Sequence, residues 1–253
     1  MKYLFVISFL FLSGVPIAGF GTEAPQRLEI NDGRIKKRIM SFLRESIGPD
    51  YSFTVEKTEI PGVYVASFGM QVVYLSGDLK FVFKGDLYNT STGQNITQAT
   101  KQKLRALAFN SLDDSTMISF LAKNSSTVKK NIYVFTDVDC GYCRKFHKQV
   151  GQLNSKGINV HYLAFPRAGQ EGSTYEKMVS VWCSTNKNDA LSIVKNGRTI
   201  PVNKCNNPIA KHFKLGLEIE LKGTPAVFSG NGVELGGFIE AKDIERILFQ
   251  EKS

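Results

Sequence analysis

The chain has 253 residues, enough for one or two domains, and a formal net charge of +9 that drops by one if Lys2 is removed with a leader. Its positive charges are scattered apart from short groups such as Arg34-Ile35-Lys36-Lys37-Arg38, and no nucleic-acid-binding motif accompanies them. The basic balance therefore reads as a solvated surface, and no nucleic-acid partner is expected.

In chain order, Lys2 is followed by the apolar run Leu4 to Leu12 and then by small residues through Gly21. A charged start, a short hydrophobic core and small residues make residues 1–21 a secretory signal peptide, with cleavage expected between about Ala18 and Gly21. A retained membrane anchor is the alternative, but the run is short of the roughly 20 residues a spanning helix needs. No later stretch is long and apolar enough to span a bilayer.

Residues 26–47 carry Leu28, Ile35, Ile39, Phe42, Leu43 and Ile47 near a 3.6-residue period, which predicts a helix ended by Gly48-Pro49. Short β runs follow at Tyr51–Val55, Val63–Phe68, Gln71–Leu75 and Phe81–Phe83, punctuated by Pro61-Gly62 and Ser76-Gly77-Asp78. This is a small α+β unit whose sheet edge could pair with a second copy. Residues 89–95 are polar and turn-rich, and Ile96 to about Lys123 reads as a connecting helix with a break near Ser111–Asp114.

A second unit starts near Val128. Ile132–Phe135 is a buried strand, followed by a helix to about Leu153, a strand Ile158–Phe165 and a helical region over Tyr175–Asn186. After a further helical region come Gly223-Thr224-Pro225-Ala226-Val227-Phe228, a strand near Gly232–Leu235 and a helix Ala241–Phe249. Strand–helix–strand, a helical insertion, then strand–strand–helix is the order of an α/β thioredoxin fold.

Cys140-Gly141-Tyr142-Cys143 opens the first helix of that unit, directly after its first strand. Two cysteines at that junction form a redox site, because free N–H groups and the positive end of the helix dipole favour a thiolate, the species that attacks disulfides. Cys140 is the candidate nucleophile, and Cys143, one turn on, closes the ring. The alternatives are a structural disulfide or a metal pair with His147 as a third ligand; a structural zinc site wants four ligands, and His147 reads as an ordinary helix residue. Neither a metal nor a cofactor is called for. If Cys140 pairs with Cys143, then Cys183 pairs with Cys205 or both stay free; a 22-residue separation would be worth roughly 3 kcal/mol as a disulfide.

Thr224-Pro225 directly precedes a strand. In thioredoxin-like folds a cis-proline loop faces the two cysteines, and this dipeptide is the candidate for it, offering backbone to pair with an extended substrate. A plain turn proline is the alternative.

These stretches carry a resemblance. Phe135-Thr136-Asp137 before the cysteines, Tyr162-Leu163-Ala164-Phe165-Pro166-Arg167, Val181-Trp182-Cys183, Gly223-Thr224-Pro225-Ala226-Val227 and Gly85-Asp86-Leu87-Tyr88 resemble the bacterial periplasmic disulfide isomerases of the DsbC/DsbG type. The likeness spans nearly all of the chain beyond the leader, and Gly141-Tyr142 and Thr224 place it nearer the DsbC branch. It implies a cystatin-like α+β dimerisation domain over 22–90, a linker helix over 91–127 and a thioredoxin-fold catalytic domain with a helical insertion over 128–253. It further implies a periplasmic homodimer that rearranges non-native disulfides of misfolded exported proteins, with chaperone activity, and is kept reduced by a DsbD-type inner-membrane reductase. Cys140 and Cys143 would be catalytic, Gly141 and Tyr142 would tune the redox poise, Thr224 and Pro225 would align the client, and a Cys183–Cys205 disulfide would hold the fold. A dithiol oxidase or general reductase, and a chaperone without redox turnover, are the competing readings. Asp139 stands where threonine is expected; a carboxylate beside Cys140 would oppose its ionisation, while Arg144 and Lys145 would favour it.

Overall fold

The computed structural model describes residues 32–49, 51–122 and 129–250. The expected signal peptide 1–21, the start of the expected opening helix, Lys123 and Val128 lie outside them.

Helix α1 (Asp32–Ile47) buries Ile39 and Leu43, whose four-residue spacing puts them on one face. Gly48 closes it in a left-handed conformation (φ 122°), its N–H bonded to the Arg44 carbonyl at 3.0 Å. Strands β1 (Phe53–Lys57), β2 (Val63–Phe68), β3 (Gln71–Ser76) and β4 (Val82–Phe83) follow as an antiparallel sheet in sequence order. Side-chain alternation gives this sheet two buried faces. Phe53, Tyr64, Ala66 and Leu75 pack on α1, while Val65, Val72 and Tyr74 face the other way, toward Leu87 and Leu104.

A short ribbon of β5 (Tyr88–Asn89) and β6 (Gln94–Asn95) leads into α2 (Ile96–Asn110), where the Asn95 side chain caps the helix by accepting from the Gln98 N–H at 2.9 Å. The helix expected to continue to Lys123 stops here. Ser111 bonds back onto the Ala108 carbonyl, Asp113 caps a single 3₁₀ turn over Asp114–Thr116, and Ile118–Phe120 is a strand, β7. Met117 and Ile118 suited the helical period, but they are buried in the second unit's core rather than on a helix face.

The second sheet holds β8 (Lys130–Thr136), β9 (Ile158–Ala164), β10 (Ala226–Ser229) and β11 (Glu234–Gly236) in the order β11-β10-β8-β9-β7, with β8 and β9 parallel. Helices α3 (Gly141–His147) and α4 (Val150–Ser155) join β8 to β9; α5 (Gly172–Trp182), α6 (Lys187–Lys195) and α7 (Ile209–Glu218) form the insertion; α8 (Ala241–Gln250) ends the unit. The single helix expected from the cysteines to Leu153 is two. The Gln149 side chain is drawn to the start of α8, donating to Ile239 and accepting from Ala241 at 2.7 and 2.8 Å, and the helix breaks beside it. The insertion helix expected over 175–186 runs earlier, from Gly172 to Trp182. Strand ends move by one or two residues, as with β1, expected at Tyr51–Val55. Among the described residues no helix is long and apolar enough to cross a membrane.

Helix α2 touches both sheets. Toward the first, Thr97 shares a 2.6 Å hydrogen bond with the buried Tyr74 hydroxyl. Toward the second, Phe109 stacks on Tyr133 at 4.6 Å, and the Arg105 Nε donates to the Gly232 carbonyl at 2.7 Å. Gly232 has φ 82°, and a Cβ there would lie 2.2 Å from the Gln102 carbonyl oxygen, so the β10–β11 turn seats on α2 because it carries no side chain.

Candidate active site

The turn after β8 is organised by Asp137, which is buried. Its carboxylate accepts from the Asp139 N–H at 2.8 Å and from the backbone and Nε of Arg167 at 3.0 and 3.1 Å; its carbonyl accepts from the Cys140 N–H at 3.2 Å. Those bonds deliver Cys140 to the N-cap of α3 and put Cys143 one turn further in. Both are free thiols, 3% and 1% exposed.

The Thr224–Pro225 peptide bond is cis, and the loop meets the cysteines: the Cys140 thiol donates to the Thr224 carbonyl at 3.2 Å. The Thr224 hydroxyl is, among the described residues, the buried side-chain polar group without a hydrogen-bond partner. A hydroxyl in that position is a donor in waiting for a thiolate. Burial pushes the Cys140 thiol up, but the polar Thr224 side chain beside it, hydrogen bonding from Cys143 and the charge of Arg167 outweigh it, and the net shift is downward. For Cys143 burial prevails and the net shift is upward, although Lys195, Thr224 and Thr136 act against it. Beside Cys140 lies a groove of about 430 Å³ bordered by Tyr142, Thr224, Pro225 and Phe238. Tyr142 is 64% exposed at its rim, and a Cβ at Gly141 would meet open space.

Two family models match, a thioredoxin-like domain over residues 120–252 and the N-terminal domain of disulfide bond isomerase proteins over 31–98. The thiol:disulfide interchange protein DsbC of Escherichia coli K12 is 33% identical over 197 residues, covering 78% of this chain and 81% of that one. The DsbC of Haemophilus influenzae is 32% identical over 218 residues, covering 86% and 90%. That of Salmonella typhimurium is 34% identical over 201 residues, covering 77% and 81%. The chain belongs to the DsbC family. It is a thiol:disulfide interchange enzyme with a disulfide isomerase's two-domain architecture.

In this DsbC-type chain Cys183 and Cys205 are bonded to each other, tying the C-cap of α5 to the loop before α7, with Cα atoms 5.6 Å apart. Asp139, expected to oppose the ionisation of Cys140, is engaged by partners of its own. Its carboxylate turns to α5 and α3, accepting from Thr174 at 2.7 Å, from Lys177 at 3.0 Å and from Arg144 at 3.4 Å. Burial raises its pKa, but these partners prevail and hold it low. Arg144 is thus engaged by Asp139, and Lys145 lies 4.2 Å over the Phe238 ring; the cation that lowers Cys140 is Arg167 instead. Both His147 ring nitrogens are taken up by hydroxyls, those of Tyr162 and Ser192, at 3.0 and 3.1 Å.

The motif reading missed Lys195. It closes α6, where a lysine ordinarily satisfies helix carbonyls in water, yet it is 2% exposed and reaches under the cysteines. Its only signal in the sequence is its place on the apolar face with Leu191 and Val194.

Proposed function

We propose that this protein is a periplasmic disulfide isomerase in which Cys140 attacks and Cys143 resolves. The observation that carries this reading is the placement of Cys140 at the N-cap of α3, its sulfur on the Thr224 carbonyl at 3.2 Å, with Cys143 one turn further in; the shifts of the two thiols, Cys140 downward and Cys143 upward, agree with it. The thiolate is the attacking species, so the more acidic thiol leads. Cys140 displaces one sulfur of a client disulfide and forms a mixed disulfide. The freed client thiolate attacks elsewhere in the client and a rearranged client departs. When the complex stalls, Cys143 displaces the client and leaves Cys140–Cys143 oxidised. Gly141 and Tyr142 leave the entrance to the groove open, and the Thr224-Pro225 loop presents backbone to an extended client segment.

The clients in this reading are misfolded exported proteins, and the Cys183–Cys205 bond only holds the fold. A homodimer through the N-terminal unit is supported by β4, a two-residue edge strand with Val82 53% and Phe83 43% exposed, preceded by Phe81 at 67%. The pairing of β7 with β9 supports counting Ile118–Phe120 with the catalytic unit, whose start is expected near Val128. Residues 1–21 serve as the export signal, a chaperone activity accompanies the chemistry, and a DsbD-type membrane reductase keeps the thiols reduced.

The test is alkylation trapping of the Cys140–Cys143 pair in the periplasm. A mostly reduced pair supports an isomerase fed by a reductase. A mostly oxidised pair overturns that assignment in favour of a dithiol oxidase.

A further inference from the structure

A lysine inside a protein is costly unless its charge is answered. Lys195 donates to the Thr136 hydroxyl at 2.7 Å and to the Asp137 carbonyl at 2.8 Å, so its bonds go to uncharged groups rather than to a carboxylate. The Asp137 carboxylate is turned away to Arg167. Thr136 is itself fully buried and opposes the rise of the Cys143 thiol, while the Asp137 carbonyl that Lys195 bonds also accepts the Cys140 N–H at 3.2 Å, so the ammonium sits against the turn that carries both cysteines. A hydroxyl has one proton and two lone pairs. With a lone pair occupied by the Lys195 ammonium, its proton is free to point at sulfur.

We propose that Lys195 is a positioning residue for Cys143, aiming the Thr136 hydroxyl at its sulfur so that Cys143 can displace a stalled client from Cys140. This rests on the reading of Cys140 as attacker and Cys143 as resolver. The resolving step begins when the Cys143 thiol yields its proton to solvent. The thiolate attacks the Cys140 sulfur, the Cys140–Cys143 bond forms and the Cys140–client bond breaks. The electron pair leaves on the client sulfur, which takes up a proton. Two enzyme thiols are oxidised as one client disulfide is reduced, and no other reactant is required.

The electrostatics agree with the geometry. Burial drives Cys143 upward, and the charge of Lys195 is the largest influence opposing it. Burial in turn brings Lys195 down to about 8, with the two cysteines pulling it back up. The other charged or titratable groups facing this pair are Asp137 and Arg167 in their ion pair, Arg144, His147 and Tyr162. His147, lowered to about 4 by burial, and Tyr162, raised well above 10.0 by burial, stay neutral through the neutral range. Changes there therefore belong to Cys140, Cys143 and Lys195.

The experiment mixes the reduced full-length protein with oxidised glutathione and follows two rates by rapid quench across pH 6 to 10. One is formation of the Cys140–glutathione disulfide in a Cys143→Ser background; the other is its resolution by Cys143. Lys195→Met keeps the length of the side chain without its charge, and Thr136→Val keeps the shape of the strand without its hydroxyl. In both, resolution is expected to slow between about threefold and tenfold at neutral pH, with its pH profile moved upward and the deficit closing in alkali. Formation is expected to change less than about twofold, since Cys140 draws on Thr224 and Arg167. Thr136→Ser, which keeps a hydroxyl, is expected to restore the profile. Folded variants whose resolution matches the parent at every pH overturn the proposal, and so does an equal fall in both rates. If the parent itself forms no glutathione disulfide on Cys140, the underlying functional reading has failed first.

Discussion

The Cys140 thiol donates to the carbonyl oxygen of Thr224, 84 residues away in sequence, at 3.2 Å. In the reduced protein that carbonyl is occupied by the nucleophile itself. When Cys140 ionises it no longer has a proton to give, so the carbonyl is released for a client backbone N–H while the Thr224 hydroxyl gains a charged acceptor. In the proposed mechanism, activation of the thiol and opening of the client-binding edge are thus one event.

Thr224→Val removes the hydroxyl and keeps the shape. The reduced protein should be at least as stable, because a buried group without a partner is lost. The Cys140 titration should move upward by about one pH unit, the worth of one hydrogen bond to a charge. A thiolate formed less readily is also more nucleophilic, so the rate of insulin reduction at pH 7 should fall only about threefold. Thiolate absorbance and insulin turbidity measure the two quantities, and an unmoved titration would remove Thr224 from the site.

Cys140→Ser should abolish both insulin reduction and rescue of scrambled ribonuclease. Retained turnover would show that a different thiol attacks.

Replacing Cys183 and Cys205 together by alanine should lower stability by about 3 kcal/mol, the chain-entropy value for a 22-residue separation. Glutathione-disulfide formation on Cys140 should persist. Unchanged urea midpoints with lost chemistry would reverse the role given to this pair.

Stability should fall as the solution is acidified from pH 6.5 to 4. His147 and His212 are held neutral by burial, each lowered from 6.5 to about 4. Both accept no proton in the fold until well below the value they have when unfolded. Their contribution is therefore complete above 6.5 and is lost as pH drops toward 4, on the order of 2–3 kcal/mol for each. His212 accepts from the Ala164 N–H at 3.3 Å, a bond its protonated form cannot make. Urea midpoints at pH 4.5 and 7 test this, and equal midpoints would contradict it.

Gly232→Ala should loosen α2 from the β10–β11 turn. The added Cβ meets the Gln102 carbonyl and the Ala106 nitrogen, both main-chain atoms that cannot rotate away, and φ is 82°. A cost of about 1–3 kcal/mol is expected, with faster amide exchange through residues 96–110. Unchanged exchange there would mean that the two units are joined less tightly than Arg105 and Phe109 indicate.

Local patterns were enough to find the strand before Cys140, the cysteine pair and Thr224-Pro225, because a continuous apolar run, a CxxC spacing and a proline before a strand are written in adjacent residues. The same locality misled at Ile118–Phe120, where a helical period covered a strand whose partner lies 42 residues on, as Ser119 and His161 show. Nor does it show that Asp139, whose neighbour in sequence is Cys140, has Thr174, Lys177 and Arg144 as its partners in space.

By itself the sequence determined which atoms can do the chemistry: two thiols one helical turn apart, a proline loop to face them and two further cysteines able to close a loop. Only the tertiary structure decided how those atoms are tuned. The acidity of a thiol depends on burial and on charges within a few ångströms, and Arg167, Lys195 and Thr224 reach the cysteines from segments far along the chain, brought there by the packing of β8 against β9, β10 and the inserted helices.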